Sequence, residues 1–72
     1  MLNSGLTNWQ RTVLGMVMTG LSDAEIARRT GLLEIEITHA LWLICEATGT
    51  SDRIELILST LSERQAKLGH TD

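Results

Sequence analysis

The sequence of 72 residues has no proline, phenylalanine or tyrosine, and it has one cysteine and two tryptophans. One cysteine excludes a disulfide within the chain and is typical of a reducing compartment. Cys45 and the two histidines, His39 and His70, do not make a structural zinc set. The sequence also lacks a phosphate-binding glycine loop and a nucleophile–base pair. We therefore expect no enzymatic activity, no metal and no cofactor.

Long apolar runs and an excess of positive charge are missing as well. No stretch approaches the roughly 18 apolar residues of a membrane span, and the first residues lack the basic and apolar regions of a signal peptide. Nine acidic residues against six basic ones give a net charge of −3, which opposes a general attraction to polyanions. Because 43% of the residues are hydrophobic, we expect a small folded protein in the cytoplasm, with no membrane partner.

Glycines divide the chain into segments with helical spacing of apolar residues. The first two segments each open with a hydroxyl residue three positions before Gln or Glu, which is the spacing of a capping box: Thr7 with Gln10, and Ser22 with Glu25. They end near Gly20 and at Gly31. In the first segment the residues at helical spacing are Trp9, Val13, Met16 and Val17. We predict one helix for each segment.

Two further segments follow, and both are predicted to be helical. The third runs from about residue 33 to residue 48, with a poor cap at Leu33 and an inward stripe of Ile37, Leu41 and Ile44. The fourth is capped by Ser51 or Asp52 and continues to about Lys67. Its apolar stripe consists of Ile54, Ile57, Leu58 and Leu61. Strand signals are weak, so the predicted fold class is all-α with four helices.

The sequence contains two short motifs that are separated by 21 residues. The first is Gly-Leu-Ser-x-x-Glu-Ile-Ala at 20–27, and the second is Gly-x-Ser-x-Arg at 49–53. Together they resemble the helix-turn-helix domain of LuxR/GerE-type transcription regulators. The match covers about residues 6–58 of a single predicted domain, 1–72, with 62–72 as a C-terminal extension. The resemblance implies that the second and third helices form the helix-turn-helix, that the third reads DNA and that the fourth makes a dimer contact.

The third helix departs from the family at the positions that usually meet DNA. Where the family has Ser, Thr, Lys and His, this sequence has Leu33, Glu36, Thr38 and Ala40. Between residues 30 and 52 there is no Lys or Arg, but there are three glutamates. Because DNA affinity depends on neutralising phosphates, such a helix is repelled by the backbone of DNA. The cations within the matched region are Arg11, Arg28, Arg29 and Arg53.

The first functional hypothesis is a regulator that binds double-stranded DNA as a homodimer. In it the third helix enters the major groove, and the residues that face the bases are Glu36, Thr38 and His39. Arg28 and Arg29 reach phosphates, unless they are simply a solvated pair at the end of the second helix. The residues of the predicted dimer contact are Ile54, Ile57, Leu58 and Leu61.

The second hypothesis is a small interaction protein that keeps the fold and uses the same helix to bind a protein. Ile35, His39 and Trp42 share one face, at positions i, i+4 and i+7. If exposed, this stripe suits a partner such as a related regulator, whose dimer it would disrupt, or a second copy of this chain. The alternative is that Trp42 folds back over the core or is covered by the tail after Leu61.

Overall fold

The computed structural model describes residues 5–69, with side chains described up to residue 66. Four helices make up this range: α1 (Asn8–Met18), α2 (Asp23–Thr30), α3 (Glu34–Thr48) and α4 (Arg53–Gly69). Within residues 5–69 there is no strand, so the all-α prediction with four helices is confirmed. His70 lies outside the described residues.

Helices α1 and α2 begin at the two predicted capping boxes. The Oγ1 of Thr7 accepts from the N–H of Gln10 at 3.0 Å, and Oε1 of Gln10 accepts from the N–H of Thr7 at 2.9 Å. Ser22 and Glu25 make the same reciprocal pair at 3.2 and 3.1 Å. The bond from the Ser22 backbone N–H lowers the pKa of the Glu25 carboxyl from its ordinary value, because it stabilises the charged form.

A glycine in the left-handed region ends both α2 and α3. The φ angle is +75° at Gly31 and +72° at Gly49, a conformation that glycine adopts without steric cost. The N–H of Gly31 donates to the carbonyl oxygen of Ala27 at 2.9 Å, which closes the last turn of α2. Only two residues separate Gly31 from the first residue of α3, so these helices follow each other through a tight turn.

The start of α3 has no capping side chain, as predicted. Leu33 is the N-cap residue, and it is 67% exposed. Glu36 satisfies one backbone group, since its Oε1 accepts from the N–H of Leu33 at 3.0 Å. A leucine at this position therefore neither caps the helix nor packs into the core.

The core takes side chains from all four helices. The largest fully buried side chains are Val13, Val17, Ile26, Ile37, Ile44 and Leu56. The predicted inward stripe of α3 is confirmed, since Leu41 is buried as well. Leu56, however, was not part of the predicted stripe of α4. From that stripe only Ile57 packs against the core, while Ile54, Leu58 and Leu61 are exposed.

Polar contacts at the first turn of α4 agree with its orientation. Asp52 is the residue that caps it, because its Oδ1 accepts from the N–H of Glu55 at 2.8 Å. Arg53 pairs with Asp23 of α2, so the Arg53 side of α4 faces the rest of the molecule. Leu56 follows Arg53 by three positions and therefore lies on the same side, in the core.

A candidate interaction surface on α3

Ile35, His39 and Trp42 lie on the exposed side of α3, and we call these three residues the α3 stripe. Ile35 is 73% exposed and Trp42 is 56% exposed. The imidazole of His39 stacks on the indole of Trp42, with ring centroids 6.1 Å apart and planes inclined by 14°. The alternative in which Trp42 folds over the core or is covered by the following tail is therefore wrong for the described residues. The indole stacks against His39 on the outside of the helix.

The three residues predicted to face DNA bases each have a contact within the chain. The hydroxyl of Thr38 donates to Oδ2 of Asp23 at 2.9 Å. The Glu36 carboxylate accepts from the Leu33 backbone, and His39 stacks on Trp42. All three side chains remain exposed. A base would have to compete with these contacts.

Asp23 at the start of α2 connects α3 and α4. Its Oδ1 lies 2.5 Å from Nη1 of Arg53, with the two side chains 23% and 34% exposed. Nη2 of Arg53 donates to the backbone carbonyl of Leu21, and the other carboxylate oxygen of Asp23 accepts from Thr38. We call Asp23, Thr38 and Arg53 the Asp23 cluster. Reasoning from sequence missed it, because Asp23 and Arg53 are 30 positions apart and only the fold brings them together.

Of the cations within the matched region, Arg53 is thus already used inside the protein. It lines a cavity of about 220 Å³ together with Thr38 and Trp42, so it lies beside the α3 stripe without offering it an unpaired charge. Arg28 and Arg29 differ from it, since both are exposed in the last turn of α2. Among the described residues, neither arginine forms an ion pair with Glu34, Glu36 or Glu46, so neither offsets the carboxylates of α3.

The carboxylates on α3 are all at the surface. Glu34 and Glu36 lie in its first turn and Glu46 near its end, and each is exposed. The last turn of α3 has no basic residue. The outer surface of α3 therefore combines apolar side chains with negative charge.

A groove of about 400 Å³ opens between the start of α1 and α3, and we call it the α1–α3 groove. Its apolar lining includes the exposed side chains of Trp9, Leu32 and Leu43, which come from α1, the α2–α3 turn and α3. Its polar lining includes Glu36 and His39. Helical spacing groups Trp9 with Val13, Met16 and Val17 on α1. Trp9 is 40% exposed and forms a wall of this groove.

The predicted dimer residues of α4 fall into two groups. Ile54, Leu58 and Leu61 are exposed and available for a contact, whereas Ile57 is half-buried against the core. Cys45 is buried on α3, where it belongs to the hydrophobic core. Spacing alone could not separate these groups, because it does not determine the rotation of α4, which places Leu56 in the core and Arg53 beside Asp23.

Among the residues that the structure describes, no group of three His, Cys, Asp or Glu side chains is placed to hold a metal ion. In the same part of the chain, no helix has both the length and the apolar character that crossing a membrane requires.

Comparison with known proteins found no match. No family model, no curated protein and no solved structure is significantly similar to this chain. A functional assignment therefore depends on the motif residues quoted above and on the surface of α3.

Proposed function

We propose that this chain is a LuxR/GerE-like helix-turn-helix protein that binds a protein partner, instead of DNA, through the α3 stripe. In this proposal α2 and α3 are the helix-turn-helix pair, and the partner is a related transcription regulator in the cytoplasm. The glycine-ended α2, its capping box and the short turn to α3 support the helix-turn-helix assignment.

One observation carries the choice of a protein over DNA: the outer surface of α3 is both apolar and acidic. Ile35 and Trp42 are both more than half exposed, and the exposed carboxylates Glu34, Glu36 and Glu46 lie on the same helix. Phosphate contacts supply most of the affinity of DNA-binding proteins, so such a surface opposes DNA electrostatically. The same composition suits a protein, because tryptophan is enriched at the residues that dominate protein interfaces.

The packing of Trp42 also favours a binding role. An exposed indole that rotates freely loses conformational entropy when a partner immobilises it, at a cost of about 0.5–1.5 kcal/mol per side chain. Stacking on His39 restricts the indole before any partner arrives. Part of this cost is therefore already met in the unbound protein.

A second candidate function is the DNA-binding homodimer, and the exposure of Arg28 and Arg29 in α2 favours it. In that alternative these arginines contact phosphates, Thr38 and His39 face bases, and α4 supplies the dimer contact. Two arginines from each of two copies neutralise four phosphates at most. The dependence of log K on log salt concentration would then have a slope of about −3.6, which is shallow for a specific regulator.

The first experiment is a titration of the protein into a labelled mixed-sequence duplex at about 50 mM salt, where phosphate contacts are strongest. We expect no binding at tens of micromolar protein. Binding that is lost in the variant carrying Arg28→Ala and Arg29→Ala would favour the second candidate and contradict the proposal. Circular dichroism of the variant verifies that it is folded.

The second experiment places a photo-crosslinking amino acid at position 35 in the cells that produce the protein. We expect a crosslink to a helix-turn-helix regulator, identified by mass spectrometry, and its loss in Trp42→Ala. Trp9→Ala is the matched control, because it removes the other exposed indole, and the crosslink should persist in it. Equal crosslinking in both variants, or a crosslink to DNA, would contradict the proposal.

A further inference from the structure

The C-terminal part of α4 extends beyond the core. Thr60 is the last buried residue among the described side chains, whereas the helix continues to Gly69. The molecule measures 43 Å along its longest axis and only 21 and 20 Å along the other two. We call residues 58–69 the α4 arm, which includes Thr60 and the part of the helix beyond it.

The α4 arm begins with exposed apolar residues and continues with positive charge. Leu58, at its base, is 60% exposed and Leu61 is 44% exposed. Arg64 is exposed and follows Leu61 by three positions, so the two side chains are neighbours on the helix surface. Glu63 is half-buried and already makes an interaction within the chain. The exposed part of the arm is therefore an apolar strip with a cation beside it.

The α1–α3 groove has the complementary composition. Trp9, Leu32 and Leu43 give it exposed apolar walls, and Glu36 gives it a carboxylate. Its volume of about 400 Å³ is within the range of roughly 300–1,000 Å³ typical of pockets that bind ligands. A small domain buries too little surface to be very stable alone, so covering both apolar surfaces would stabilise it.

We propose that the α4 arm of a second copy of this chain docks into the α1–α3 groove. Leu58 and Leu61 pack against the apolar walls, and the guanidinium of Arg64 pairs with the carboxylate of Glu36. Two copies exchange their arms, so the contact occurs twice and the dimer is closed. This interface differs from the contact between two α4 helices that the resemblance implies, because here α4 meets α1 and α3.

The inference goes beyond the proposed function, because its surface shares only His39 with the α3 stripe. Either can fail alone. A protein that stays monomeric while position 35 still crosslinks to a regulator would overturn the arm exchange and leave the proposed function intact. A protein that dimerises through the α4 arm but binds DNA would overturn the proposed function and leave the arm exchange intact.

Sedimentation velocity of variants with reversed charges tests the arm exchange. We expect the wild-type protein to form a dimer as its concentration is raised to about 500 µM. Glu36→Arg and Arg64→Glu should each raise the dissociation constant about tenfold or more. Glu46→Arg is the matched control, because Glu46 is an exposed carboxylate of α3 that does not line the groove, and it should leave the dissociation constant unchanged.

Mixing the two charge-reversed variants gives the most specific result. In the mixed pair, Arg64 on the arm of Glu36→Arg meets the intact Glu36 of Arg64→Glu. The introduced glutamate on the other arm meets the introduced arginine in the other groove, so both contacts join opposite charges. The mixture should therefore form a heterodimer more tightly than either variant alone forms a homodimer. A mixture that stays monomeric would overturn the inference, and so would a wild-type protein that is monomeric at about 500 µM.

Two more variants keep the test independent of folding and of the alternative α4 contact. Glu36→Gln retains an oxygen that can accept from the Leu33 N–H, and it should weaken the dimer about threefold by removing the charge alone. Leu61→Asp should abolish the dimer, whereas Ile54→Asp, at the other end of the exposed strip, should not. Loss of the dimer in Ile54→Asp would identify a contact between two α4 helices, and a dimer that persists in Leu61→Asp would exclude the arm; either result would overturn the arm exchange.

Discussion

Helices α2 and α3 are neighbours in sequence and in space, yet their ends and their exposed surfaces differ in composition. Helix α2 has a capping box, acidic residues in its first turn and arginines in its last turn, which is the arrangement that stabilises a helix in water. Helix α3 starts at an exposed leucine, has no basic residue in its last turn and exposes Ile35 and Trp42. The residues at which α3 departs from the pattern of α2 are exposed and contribute little to folding, so we attribute these departures to binding.

The same contrast exists between the two sides of α3. Ile37 and Ile44 have no exposed surface, whereas the third isoleucine of α3, Ile35, is 73% exposed. Side chains of one chemical type thus have different roles on the two sides. Substituting them separately measures how far stability and binding are divided within one helix.

The largest effect on stability is expected for Ile44→Ala. Removal of a fully buried isoleucine costs about 2–5 kcal/mol, because it loses apolar contacts and leaves a cavity. Ile35→Ala is the matched control on the outer side and should change the free energy of unfolding by no more than about 0.5 kcal/mol. Urea denaturation measures both, and equal effects would contradict the division of α3 into two sides.

A smaller loss is expected for Asp23→Ala, which removes the centre of the Asp23 cluster. The ion pair with Arg53 is partly exposed, so we expect a loss of about 1 kcal/mol from it and the bond to Thr38 together. A double-mutant cycle with Arg53→Ala measures the coupling by thermal denaturation. Strictly additive losses would show that the contact between Asp23 and Arg53 contributes nothing to stability.

A gain in stability is expected when α3 receives the cap that α2 already has. Leu33 has the extended backbone of an N-cap residue but no capping oxygen, so Leu33→Ser should stabilise the protein by about 0.5 kcal/mol. Ser22→Ala is the opposite control in α2 and should cost about 1 kcal/mol. If Leu33→Ser destabilised the protein, Leu33 would contribute to folding in spite of its exposure.

The smallest effect concerns the capping box of α2 in acid. Because the pKa of Glu25 is lower in the folded protein than its ordinary value of 4.5, the charged carboxylate stabilises the fold above that value. This contribution is lost as the pH falls through the lower pKa of the folded state. The melting temperature of Glu25→Gln should therefore fall less with acidification than that of the wild type. Parallel curves below pH 4.5 would refute this assignment.

Local features of the fold were predictable from the sequence, because they depend on residues a few positions apart. The capping boxes at Thr7 and Ser22 and the glycine ends of α2 and α3 involve only short-range geometry. The Asp23 cluster and the burial of Leu56 depend on how helices pack, and helical spacing does not determine that. The exposed placement of Trp9 likewise depends on the α1–α3 groove, which three separate segments build.

The candidate surface was predictable in its composition and not in its exposure. Spacing grouped Ile35, His39 and Trp42, but a tryptophan at the edge of a small core can also fold inward. The deciding contact is the stacking of His39 on Trp42, for which a separation of three positions on a helix is necessary but not sufficient. The pairing of Arg53 with Asp23 had no signal in the sequence, although it neutralises a cation that lies beside α3.

The central claim is that the α3 stripe does not meet DNA. It is tested most directly by ¹H–¹⁵N correlation spectra recorded while a mixed-sequence duplex is added at about 50 mM salt. We predict that the amide peaks of Ile35 and His39 and the indole peak of Trp42 stay in place at equimolar duplex. Movement of these three peaks, suppressed in the variant with Arg28→Ala and Arg29→Ala, would contradict the account and identify α3 as a DNA-reading helix.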